Sequence, residues 1–261
     1  MRERRRSLQR AVLLVCLMSG AHAGLACDRA DLLLCDTFEG RAVGDPPNPE
    51  LWSLQLGAGS SIAIDNAHAV SGQHAARIAV MQDRQWAYMQ NKSIFPVAEN
   101  GFWGRLSFRI DAERPKTEGL VHWNLIEAMA DSDPIRMYRY GGISVPELGR
   151  NYFNWNHEMR PRPDGFSELS QDDDLNARVD PGQWHCVEWQ FDGLTNTSRL
   201  FWDGIERDAL TVIGEAGGVA FDMRPFRALN IGFTLYQPIQ QDYVVWIDDV
   251  AVDRARIGCP S

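Results

Sequence analysis

Apolar and polar residues alternate along much of the chain with a period of two. The clearest case is 184–191, where Val187, Trp189 and Phe191 fall on one face and Cys186, Glu188 and Gln190 on the other. That period belongs to a half-buried strand. The same alternation runs through 104–111, with Leu106, Phe108 and Ile110 opposite Arg105, Ser107 and Arg109. It is weaker over 120–128, where His122 and Asn124 oppose Trp123 and Leu125. Further strands are expected at 61–65, 75–80, 198–202, 228–237 and 243–252, and a first one over 32–39 ends in an acidic turn. Ser71-Gly72-Gln73-His74 and Asp203-Gly204 read as turns. The stretch 129–180 is the least strand-like and is expected to be strands joined by long functional loops. No helical period persists and no internal repeat is found. Many short strands punctuated by Gly, Pro and Asn predict an all-β fold, a sandwich or jelly roll of two antiparallel sheets.

The first residues change the compartment. Met1-Arg2-Glu3-Arg4-Arg5-Arg6, an apolar run from Ala11 to Met18 and then Ala21-His22-Ala23 read as a secretory signal peptide over 1–23. One large β-domain over 24–261 remains, periplasmic or extracellular after export. The apolar run is shorter than the ~20 residues of a membrane span, and no later segment approaches that length, so no transmembrane segment is expected. Taking the signal's five Arg and one Glu from 26 basic and 35 acidic residues leaves 21 and 34, a net charge of −13. That excludes nucleic acid and anionic membrane surfaces as natural partners. A monomer is expected. Four cysteines remain, Cys27, Cys35, Cys186 and Cys259, which in an exported chain read as two disulfides with three possible pairings. A local Cys27–Cys35 clip with a long Cys186–Cys259 staple is the favoured one.

Two constellations carry candidate chemistry. Asp36 and Glu39 follow the first strand, and Asp248-Asp249 interrupt the apolar last one. Adjacent carboxylates in an apolar strand repel each other unless a cation neutralises them, and Ca²⁺ with turn carbonyls from 71–74 suits that need. The second is the polar face. If all apolar faces point inward, Arg105, Ser107, Arg109, His122, Asn124, Glu188, Gln190, Thr234 and Tyr236 share one ligand-facing side. Aromatic rings stack on sugar faces, while amides and Arg read hydroxyls and carboxylates. Arg109, Tyr138, Tyr140, Asn154, Trp155, Glu188, Gln190 and Gln237 are therefore the candidate binders of a polysaccharide or oligosaccharide. The bland alternative is an ordinary solvated sheet face. A glycosidase needs two opposed carboxyls; Glu188 is one candidate, but Glu127 falls on the opposite strand parity from His122. The motifs G-x-S-x-G and H-E-x-x-H are absent.

Leu34-Cys35-Asp36-Thr37-Phe38-Glu39, Ser71-Gly72, His122 before Leu125-Ile126-Glu127-Ala128, Trp184-x-Cys186-Val187-Glu188, Trp246-Ile247-Asp248-Asp249-Val250 and Ile257-Gly258-Cys259 together form a pattern. It resembles the concanavalin-like jelly-roll proteins that include the fungal cellulose-induced protein family and, more distantly, the glucuronan and alginate lyases. The resemblance implies a concanavalin-like β-jelly roll, a structural Ca²⁺ near Glu39, Ser71, His74 and Asp249, and a substrate groove on a concave sheet. It also implies β-elimination at a uronate, with Tyr236 transferring the proton, His122 as base or neutraliser, and Asn124 and Arg105 in support. The Q-I-H and Y-x-K-x-G-x-Y motifs of the alginate lyases are missing, so their substrate is not carried over. The expected function is a secreted polysaccharide lyase acting on uronate-containing chains. The alternatives are a non-catalytic, calcium-stabilised carbohydrate-binding protein of the same fold and, third, a glycoside hydrolase.

Overall fold

The structure is a computed structural model that describes residues 27, 29–81, 85–111, 119–145 and 149–259, with the side chains of 150 and 174 left out. The segment 1–23, read above as a signal peptide, lies outside the described residues. The chain opens with β1 (Leu34–Asp36), β2 (Ser53–Leu56), β3 (Ser61–Asp65), β4 (Ala75–Val80), β5 (Trp86–Asn91) and β6 (Gly101–Ile110). Its middle supplies β7 (Val121–Ala130), β8 (Ile135–Val145), β9 (Arg150–Arg160) and β10 (Leu169–Arg178). β11 (Trp184–Asp192) and β12 (Thr197–Trp202) precede four two-residue strands, β13 (Ile205–Glu206), β14 (Val212–Ile213), β15 (Glu215–Ala216) and β16 (Val219–Ala220). β17 (Phe226–Leu235) and β18 (Tyr243–Asp253) complete the fold.

The strands pair antiparallel into two sheets. The larger follows the order β16-β15-β14-β12-β11-β6-β18-β4-β3, with β1 on β18 and β13 on β12; the smaller follows β10-β9-β8-β7-β17-β5-β2. This is an all-β jelly-roll sandwich. The core forms where the two inner faces meet: the Tyr140 ring of β8 stacks on Phe191 of β11 at 5.5 Å, and Phe153 of β9 lies 5.8 Å from Phe108 of β6. Trp155 adds a polar tie, its indole N–H donating to the Ser198 hydroxyl at 3.0 Å. Among the described residues no helix is long and apolar enough to cross a membrane.

Both disulfides join the favoured partners, Cys27–Cys35 and Cys186–Cys259. The second fixes the C-terminal tail against β11. Glu188, fully buried, accepts the backbone N–H groups of Ile257 at 2.9 Å and Gly258 at 2.7 Å and pairs with Arg256 at 2.8 Å. Arg105 donates to the Gly258 carbonyl at 3.0 Å.

Three expectations are corrected here. The stretch 129–180 forms three long strands, β8, β9 and β10, rather than strands separated by long loops. Arg105 and Arg109 on β6 and Glu188 and Gln190 on β11 sit side by side in register, Glu188 opposite Arg105 and Trp184 opposite Arg109. They belong to the outer face of the larger sheet and do not share a face with His122, which is on the smaller one. Alternation separates inside from outside for each strand, but a sandwich has two outsides. Tyr138, Tyr140 and Trp155 are fully buried in the core, so they are packing residues and not substrate binders. In Met137-Tyr138-Arg139-Tyr140 it is Met137 and Arg139 that point to the other face.

Candidate functional site

The outer face of the smaller sheet carries a groove. One arm, about 440 Å³, is lined by His122, Asn124, Asn154, Asn156, Tyr236 and Gln237, with Arg160, Arg162, Glu158 and Glu168 toward its far wall. Of the sequence-selected residues, the structure brings together His122, Asn124, Asn154, Tyr236 and Gln237, keeps Thr234 on the same sheet beside Asn124, and leaves the other polar-face and sugar-binding candidates on the opposite sheet or in the core.

Their placement follows from strand register. Thr234 of β17 pairs with Asn124 of β7, Asn124 with Gly141 of β8, and Gly141 with Asn154 of β9. Gly141 lets β8 approach β7 closely: a Cβ there would overlap the backbone and side chain of β7 at Trp123 and Asn124. Tyr236 follows β17 directly and donates its backbone N–H to the His122 carbonyl at 3.0 Å.

Tyr236 is the centre of the arm. The Asn124 side-chain amide donates to its hydroxyl at 2.7 Å, and the Arg139 guanidinium lies 5.7 Å from its ring centroid. Burial pushes the Tyr236 hydroxyl up to about 12, an effect that Arg139 opposes and Glu127 reinforces. His122 is fixed by Gln237 in two ways. The Gln237 side-chain carbonyl accepts the His122 backbone N–H at 2.6 Å, which turns the Gln237 amide nitrogen toward His122 Nδ1 at 3.2 Å. Nδ1 is therefore the acceptor, and the neutral ring carries its proton on Nε2.

Beneath Tyr236 runs a charged network that the sequence pattern did not single out. Arg139, only 2 % exposed, donates Nε to Glu127 at 2.7 Å and Nη1 to Glu158 and Asn156. Asn230 donates to the second Glu127 oxygen at 2.8 Å. Glu127 was assigned to the wrong side because β7 is irregular. Between Asn124 and Ile126 its register against β8 shifts by one residue, so Glu127 faces the same way as Asn124. Simple alternation cannot register a bulge. Asn156 and Glu158 follow from Asn154 by alternation along β9.

The predicted metal ligands meet only in pairs, Glu39 with the backbone at His74 and Ser71 with Asp249. Glu39 Oε1 accepts the backbone N–H groups of Gln73 and His74, each at 2.7 Å, and the Ser71 hydroxyl donates to Asp249 at 2.7 Å. Gly72 makes the turn possible, with φ +57 and no room for a Cβ beside the Glu39 carboxylate. Asp36 and Asp248 are otherwise engaged. Asp36 accepts from Phe38 and Trp52 at 2.8 Å each, and Asp248 from Val70 at 2.9 Å and Ser71 at 3.3 Å. Burial and the neighbouring Asp249 raise Asp248 to about 7, and burial raises Asp249. This is surplus negative charge with oxygen donors around it, which fits a hard cation. Among the described residues no three His, Cys, Asp or Glu side chains converge, so carbonyl or hydroxyl oxygens would have to complete such a site.

No protein-family model matches the sequence, and neither does any curated protein. Solved structures do. The fold matches that of a cellulose-induced protein, Cip1, with a TM-score of 0.62 at 16% identity over 87% of this chain and 99% of that one. It also matches an endo-β-1,4-glucuronan lyase from the fungus Trichoderma reesei, with a TM-score of 0.59 at 14% identity over 82% and 95%. At these identities the likeness concerns the fold.

Proposed function

We propose that the protein is an exported polysaccharide lyase that cleaves uronate-containing chains by β-elimination. The observation that carries this reading is the Tyr236 hydroxyl, held in the groove by the Asn124 amide and backed by Arg139. A glucuronan lyase among proteins of the same fold supports it. His122 donates from Nε2 to the uronate carboxylate, spreading the charge that builds when the adjacent C5–H bond weakens. The Tyr236 phenolate, stabilised by Asn124 and Arg139, takes the C5 proton. The electron pair left behind forms the C4–C5 double bond as the C4–O bond breaks, and the same hydroxyl returns the proton to the leaving oxygen. No water is consumed. Arg105, which was expected to help, holds the C-terminal tail instead.

Export is supported by two disulfides, which persist in oxidising compartments. We assign calcium, as a structural ion, to Glu39 and Asp249 with Ser71 and carbonyls of the turn ending at His74. Its charge would neutralise the carboxylates between the chain's two ends.

The test is a panel of uronate polymers and neutral glucans, followed by the ultraviolet band of the unsaturated product and by reducing-end release. Absorbance rising with reducing ends is the expected result. Reducing ends without absorbance would make the protein a hydrolase. Retention on a glycan gel with neither signal would make it a binder.

A further inference from the structure

The groove continues past Tyr236. A second arm of about 320 Å³ opens on its other side, sharing Tyr236 and Arg160 with the first. Its lining is more apolar: Trp86, Tyr88, Met129, Ile135 and Met137 stand beside Arg139, Arg160 and Asn230. Trp86 is 43% exposed, and among the described residues it is the single aromatic among the large exposed hydrophobic side chains. An indole left open to water inside a groove signals something that covers it.

We infer that this arm is a subsite for an uncharged pyranose, and that the substrate is a chain in which a uronate neighbours a neutral or esterified sugar. The inference rests on the lyase reading above and narrows its substrate. Three observations carry it. Trp86 presents an aromatic face, which suits the C–H face of a sugar ring. Gln55, Gln90 and Tyr88 surround it with neutral groups that exchange hydrogen bonds with hydroxyls. The charged groups of the arm are paired with one another: Glu127 receives Arg139 and Asn230 on its two oxygens, and Arg139 reaches Glu158 with its other face. Arg160, at the junction of the arms, also turns to Glu158 at 3.4 Å. A carboxylate entering here would lose its water and find only Arg160, already turned to Glu158, which disfavours it against an uncharged ring.

Spacing agrees. Trp86 pairs with Thr234, and Thr234 with Asn124, so Trp86 lies two strands from the residue that holds Tyr236. Two strand spacings are about 10 Å. One sugar on Trp86 therefore puts the next residues of the same chain over Asn124 and Tyr236.

The experiment measures binding, so that it does not depend on turnover. In a Tyr236→Phe background, affinity gel electrophoresis compares a glucuronate homopolymer with a polymer alternating glucuronate and a neutral hexose. The mixed polymer should bind about tenfold more tightly, the size of one good stacking contact. Adding Trp86→Ala should erase that preference and leave homopolymer affinity within about twofold, while Trp86→Phe should keep most of it. The inference is overturned by equal binding of the two polymers, by a preference that survives Trp86→Ala, or by equal weakening for both. If the preference holds but wild-type protein forms no unsaturated product from any uronate polymer, the lyase reading fails and the neutral subsite stands. If neither polymer binds, both fall.

Discussion

Asn124 donates its side-chain amide to the Tyr236 hydroxyl across 2.7 Å, joining β7 to the residue that follows β17. A donor aimed at the phenol oxygen stabilises the ionised form, while burial opposes it and sets the group near 12. The pair thus holds a proton that leaves only when substrate chemistry or high pH demands it. Tyr236→Phe should lower kcat about 10²–10⁴-fold, the range for loss of a positioned acid–base group. Its melting temperature should fall little, since one hydrogen bond is worth about 1 kcal/mol. Activity within tenfold of wild type would remove Tyr236 from the chemistry.

The same raised value fixes a pH dependence. The active form carries a phenolate, so its fraction grows as pH approaches about 12. Log kcat/KM should climb by about one per pH unit from neutral into the alkaline range. In Arg139→Gln, which loses the cation that favours the phenolate, the curve should move to higher pH. A rate flat from neutral upward would reassign Tyr236 to acid duty only.

Arg139 is as much a structural residue as a chemical one. Glu127 and Glu158 are buried beside it, and removing the guanidinium leaves Glu127 without its cation and Glu158 with only its longer contacts to Arg160 and Arg162. Arg139→Met should cost about 3–5 kcal/mol, as breaking a buried ion pair from one side does. In a domain of this size that is a fall in melting temperature on the order of 10 °C. Glu127→Gln in the same protein should recover part of it, and a double-mutant cycle measures how much.

His157 gives an acid limb to stability. It is fully buried on the core side of β9, stacked on Tyr138 at 4.9 Å, with no hydrogen-bond partner for either ring nitrogen. Burial, with Arg136 and Arg139 nearby, lowers it to about 4 from an ordinary 6.5. Between those values the unfolded chain binds a proton and the folded one does not, so stability falls as pH falls from about 6.5 to 4. The loss approaches about 3 kcal/mol at the lower end. Comparing urea unfolding at several pH values, His157→Phe should flatten this component relative to wild type. An unchanged slope would place the acid sensitivity elsewhere.

Calcium is tested through stability alone. If Glu39 and Asp249 hold an ion, a chelator should lower the melting temperature, and added calcium should restore it in a concentration-dependent way. Glu39→Gln should abolish the response. A wild-type melt indifferent to chelator and calcium would mean that the turn at Gly72 is sufficient without a metal.

The sequence made the strands and the core of the larger sheet readable, because the alternation in β6 and β11 is uninterrupted. It also identified His122, Asn124 and Tyr236 as outward residues. It did not separate the two outer faces, since period two says which side of a strand is buried and not which sheet the strand joins. That is why Arg105 and Glu188 were grouped with His122. Glu127 was hidden by the irregular register at Leu125, and Arg139 by the tyrosines on either side, whose aromatic character suggested sugar binding when it served packing. Trp86 opens β5, a six-residue strand that was not among those expected from the alternation.

The Cys186–Cys259 bond, at a sequence separation of 73, closes a ring that includes β12 to β18 and Tyr236. Its surface exposes Leu194 in a turn and Ile205 and Ile213 in two-residue strands. A protease that nicked any of them would not release a fragment: the cut chain would stay tethered through sulfur and through Glu188's hold on the tail. Damage at these places becomes a scar instead of a loss.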